Sequence, residues 1–133
     1  MRATLLLCDW AEVVAGKVYA QGAGWSTTSA NTPGVASALA VFLYVPYDMT
    51  NRLINVRCQL LTSDGQPFPE GSPAEFGYEF EVGRPPGIKP GFEQIVPFAA
   101  KVNGIIYSPG VYEWRMEVDG SALASATFTA IEG

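Results

Sequence analysis

Val111-Tyr112-Glu113-Trp114-Arg115-Met116-Glu117-Val118-Asp119-Gly120 is the stretch on which the reading of the fold turns. Its apolar side chains fall on every second residue. Tyr112, Trp114, Met116 and Val118 point one way, and Glu113, Arg115 and Glu117 point the other. A period of two is the mark of a half-buried β-strand. Asp119-Gly120 then supplies two residues that tolerate positive φ, as a tight hairpin requires. The return strand runs over Leu123–Ile131, with Ala124, Ala126, Phe128 and Ala130 on one face. Small alanines opposite a large Trp114 fill a core without strain.

Working outward, the same alternation predicts strands over Thr4–Cys8, Lys17–Ala20, Leu53–Leu61, Ala74–Val82 and Gln94–Val102. Ala38–Tyr47 is apolar on both faces and so is expected at the centre of its sheet. Asp64-Gly65 and Asn103-Gly104 mark turns, and Gly22-Ala23-Gly24 reads as the turn at a strand end. Asp9–Ala15 has room for one helical turn, though two valines argue against more. Ser26–Gly34 is polar and reads as a loop. The expected fold is therefore all-β: a two-sheet antiparallel β-sandwich of about eight strands, with a jelly roll or small barrel as the alternative. Residues 1–133 are expected to form one such domain.

Composition narrows the function classes. Apolar residues make up 48% of the chain, enough for one continuous core. Charged residues make up only 16% and net charge is −5. A weakly charged surface suits a domain that a protein partner covers. The basic residues Arg2, Lys17, Arg52, Arg57, Arg84, Lys89, Lys101 and Arg115 are dispersed. Without a basic cluster to displace counterions from phosphates, no nucleic-acid partner is expected. The longest largely apolar run, Val35–Val45, has 11 residues. That is short of the roughly 18 of a membrane-spanning helix, so no membrane partner is expected. The N-terminal apolar run is too short for a signal peptide and Asp9 follows at once. Cys8 and Cys58 both sit in apolar segments, as core thiols or as a bridge between facing sheets.

The chain has no histidine. That removes Ser-His and Cys-His nucleophiles, histidine metal ligands and the usual base for neutral pH. Two cysteines cannot by themselves hold zinc, and the phosphate-cradling glycine motifs are absent. Paired carboxylates exist, Glu79 with Glu81 and Glu113 with Glu117, but on faces that read as solvent-exposed. A non-enzyme without metal or cofactor is expected. Trp10, Trp25, Tyr47, Phe92 and Tyr107 fall near strand ends or in loops, where aromatics can stack on sugars.

The best candidate binding element is Gly83-Arg84-Pro85-Pro86-Gly87-Ile88-Lys89-Pro90-Gly91. Three prolines restrict their own φ and the residues before them. A stiff, extended segment near polyproline II is expected, carrying two cations in an acidic protein. A rigid loop loses little entropy on binding. Arg84, Pro85, Pro86, Ile88, Lys89 and Phe92 are the candidate contact residues.

Four further stretches carry a resemblance. They are Met1–Asp9, Gly16–Tyr19 with Gly22–Trp25, Phe80–Gly87, and Pro109–Trp114. Together they resemble a family of small uncharacterised proteins from actinobacteria and their phages. The resemblance implies a phage or bacterial cytoplasmic setting and a non-enzymatic role. The leading expectation is a virion accessory protein, such as a capsid decoration or head–tail component. It would dock on phage structural proteins or on further copies of itself. A small inhibitor of a host protein and a carbohydrate-binding module are the alternatives.

Overall fold

Alternation in the sequence becomes ten strands in the computed structural model, which describes residues 1–132. They are β1 (Arg2–Cys8), β2 (Trp10–Val14), β3 (Lys17–Gln21), β4 (Thr27–Ser29) and β5 (Ala38–Val45). After them come β6 (Leu53–Thr62), β7 (Glu75–Glu81), β8 (Gln94–Lys101), β9 (Gly110–Val118) and β10 (Ser121–Ile131). One 3-10 turn, Tyr47–Met49, follows β5, and no α-helix occurs among the described residues. One sheet has the order β1-β5-β8 and the other β4-β10-β9-β6-β7, while β2 and β3 form a separate hairpin. The fold is all-β and sandwich-like, as expected.

The register confirms the phase of the central strands. Trp114 lies between Leu60 of β6 and Ala126 of β10. It is 1% exposed. Tyr112, Met116, Phe128 and Ala130 are buried with it, against Leu39, Val41, Leu43 and Val45 of the facing sheet. The β9–β10 turn has Asp119 at φ 50° and Gly120 at φ 85°, the pair of positive angles its sequence predicts. β5 is central, as its two apolar faces require. Its odd residues fill the core, and Ala38 and Ala40 lie buried with Cys8 and Ala11 on the other side. The β2–β3 hairpin supplies that second cover, with Val18 packing beside Ala11.

Three expectations are corrected. Asp9–Ala15 is not a helical turn but mostly β2, paired with β3 through an Ala15-Gly16 turn at φ 50° and 75°. The Ser26–Gly34 loop contains β4, which pairs with the end of β10. That pairing is parallel, so the sandwich is not wholly antiparallel. Both cysteines are free and buried, in different clusters: Cys8 beneath the hairpin and Cys58 in the main core. Gly22 has the tight role its turn suggested. It sits at φ 62°, and a Cβ there would collide with the Asp9 carboxylate.

Candidate docking site

The loop from β7 to β8 is not extended. It folds into two successive turns, closed by Ile88 N–H to the Pro85 carbonyl and Phe92 N–H to the Lys89 carbonyl, each at 3.1 Å. Each turn has proline second and glycine third, with Gly87 at φ 98° and Gly91 at φ 88°. Proline presets one angle and glycine accepts the positive one, the signature of a type II turn. The loop is stiff, as its prolines imply, but by turning twice and not by stretching into polyproline II.

Arg84 anchors it. Its Nε donates to the Thr50 hydroxyl at 2.6 Å and its Nη2 to the Tyr47 carbonyl at 3.0 Å. The guanidinium also lies 3.8 Å from the centroid of the Tyr47 ring. Thr50 in turn donates to the Tyr47 carbonyl at 2.6 Å. Gln94 closes the base of the loop by donating to the Gly83 carbonyl at 2.8 Å. Arg84 thus binds its own chain. Pro85, Pro86 and Lys89 remain exposed, Ile88 is half-buried, and Phe92 is 54% exposed.

Beside Phe92 lies the outer face of the three-stranded sheet. Register sets Arg2, Tyr44 and Ile95 in one row and Thr4, Phe42 and Pro97 in the next. The hairpin covers the far part of this face around Ala40, and Phe42 packs partly buried against that cluster. Ile95 is 57% exposed. Arg2 stacks over Tyr44 at 3.9 Å and pairs with Glu93 at 3.0 Å, so the visible charges cancel. Phe92 and Ile95 are exposed apolar side chains on this face, with Tyr44 and Phe42 half-buried beside them. Sequence reasoning named Phe92 but missed the other three. The signal was present: Gln94–Lys101 carries apolar residues on both faces, and only one face belongs to the core.

The other candidates separate. Among the five aromatics considered for sugar stacking, Tyr107 is 1% exposed. Trp25 packs edge-on against Phe128 at 5.5 Å, and Lys101 sits 4.9 Å above Trp10. Glu113 is bound to Arg115 at 2.9 Å. The hydrogen bond from Arg57 holds the Glu75 carboxylate below its usual range. Among the described residues no group of three or more acidic or cysteine side chains is placed to hold a metal ion.

Fold and site together define a small all-β module with a rigid, partly apolar face. The chain belongs to DUF6941, a family of unknown function, whose model matches residues 3–131. No curated protein and no solved structure matches it.

Proposed function

We propose that the protein is a non-catalytic docking module of a phage virion, acting as a capsid decoration or head–tail component. The observation that carries the docking reading is the pair of exposed apolar side chains Phe92 and Ile95, next to half-buried Tyr44 and Phe42, beside a loop that Arg84 and two Pro-Gly turns hold in place. Exposed apolar side chains on a rigid base are what a binding surface needs, since little order remains to be gained on contact. Paired charges at its edge leave this face neutral, which suits a protein surface and not a phosphate backbone. The virion setting rests on the resemblance to proteins of actinobacterial phages and on fold-level analogy.

The test is affinity capture from infected cells with the wild-type protein and a Phe92→Asp/Ile95→Asp variant. Capsid or tail proteins retained by the wild type and lost by the variant are the expected result. Recovery of one host protein in their place would move the reading to an inhibitor. Equal recovery by both proteins would remove this face from the interface.

A further inference from the structure

The β2–β3 hairpin has one edge whose backbone groups are unmet. Its two-residue turn at Ala15-Gly16 makes Val14 and Lys17 the closing hydrogen-bonded pair, and such pairs recur at every second residue. The Gln21 carbonyl, which accepts from the Asp9 N–H just before β2 at 2.9 Å, fits that phase. Lys17, Tyr19 and Gln21 therefore direct their backbone groups at β2, and Val18 and Ala20 turn theirs the other way. β3 pairs with β2 alone, and no other backbone group among the described residues bonds Val18 or Ala20.

Other edges carry guards. β7 has Glu75, Glu79 and Glu81, β8 has Pro97, and the Gly24 N–H occupies the Leu7 carbonyl of β1. β3 reads Lys-Val-Tyr-Ala-Gln, with no proline and no acid, and Tyr19 is 54% exposed. An open row of N–H and C=O groups is a template for a further strand. Symmetry singles out which strand. A two-fold axis through Tyr19 sets Val18 against Ala20 of a second copy, and Ala20 against Val18 of that copy. Every outward N–H then meets a carbonyl, with no group left over. The same axis brings the two Tyr19 rings together, a favourable cross-strand contact, and sets each Lys17 opposite a neutral Gln21. We infer that a second copy of this chain docks here, its β3 antiparallel to this one, joining the two hairpins into one continuous sheet. The ladder is short, which puts the dimer among small, reversible interfaces. The inference is independent of the Phe92 and Ile95 face.

Sedimentation velocity from about 10 μM to about 1 mM covers weak association. The wild type should pass reversibly from monomer to dimer over that range. Ala20→Pro removes an outward N–H and should weaken dimerisation about tenfold or more, while Ala20→Ser, which keeps it, should not. If Ala20→Pro fails to fold, Tyr19→Glu, which sets like charges on the axis, should have the same effect. Cross-linking reads the register. Tyr19→Cys copies would meet at a Cα separation of about 4.5 Å and should form a disulfide under a mild oxidant, since Cys8 and Cys58 are buried. Lys17→Cys copies would stand roughly 13 Å apart and should not. Phe92→Asp/Ile95→Asp should dimerise as the wild type does. A monomer throughout, a dimer that tolerates both Ala20→Pro and Tyr19→Glu, a dimer abolished by Phe92→Asp/Ile95→Asp, or cross-linking at position 17 and not at 19 would overturn the inference.

Discussion

Arg84 shows how a residue can be singled out correctly and its role misread. Sequence alone presents a cation in a proline-rich loop of an acidic chain, which suggests contact with a partner. In the fold its donors reach Thr50 and Tyr47, residues more than thirty positions earlier. Arg84→Ala should therefore cost about 1–2 kcal/mol of stability in urea unfolding, a range set by hydrogen bonds to a charged group that is partly solvated. Arg84→Lys should recover little of it, because an ammonium cannot reproduce the planar fork. Trp114→Ala should cost about 3–5 kcal/mol, the usual penalty for emptying a large aromatic site. A loss below about 1 kcal/mol would contradict its burial. Burial pushes the Cys58 thiol up to about 12. Its unfolded value is near 8.5, so the folded state holds the proton more tightly. That stabilisation is complete below about pH 8.5 and is lost as pH rises towards 12, at up to about 1.4 kcal/mol per unit. Burial raises Tyr107 in the same direction. Cys58→Ala should flatten the alkaline decline seen in urea melts from pH 8 to 11.

At the scale of elements, the sequence is most legible where one face meets the core and the other meets water. β6, β7, β9 and β10 have that asymmetry, and their phase follows from alternation alone. β2 does not. Ala11 faces the sheet below, yet Trp10 and Val14 on the opposite face are apolar too, so no alternation survives. β4 has three polar residues and exists only because β10 offers it a free edge. The double turn was written in Pro86-Gly87 and Pro90-Gly91, but counting prolines without pairing each to its glycine suggests an extended segment. The docking surface was harder to see, since a strand's sequence does not tell which apolar face is left uncovered. The β2–β3 turn offers an element-scale test. Ala15 holds φ 50°, a region that disfavours a Cβ. Ala15→Asn creates the Asn-Gly pair preferred in such turns and should raise stability by about 0.5–1 kcal/mol. An unchanged melting curve would show that this hairpin does not unfold with the rest.

Across the whole molecule, the sheet edges on the β7–β8 side are guarded. β7 sets Glu75, Glu79 and Glu81 along its exposed side, and β8 carries Pro97, which cannot donate a ladder hydrogen bond. Charges and proline on edge strands oppose pairing with a foreign strand. This favours contact through a face over strand addition. Glu79→Val/Glu81→Val should keep the fold and yet promote concentration-dependent association, visible as rising light scattering. A variant that stays as dispersed as the wild type would show that these carboxylates do not guard the edge.

The parallel pairing of β4 with β10 sets Thr27 beside Thr129. That ladder joins segments about a hundred residues apart in the chain. Closing so long a loop costs entropy before any contact repays it, and β1 must likewise wait for β5. Emerging from a ribosome, the chain would hold β4 without its partner until β10 has been made. Refolding from denaturant is accordingly expected on the millisecond-to-second scale of β-proteins dominated by distant contacts. Removal of residues 129–131 should release β4 and open that side of the sandwich.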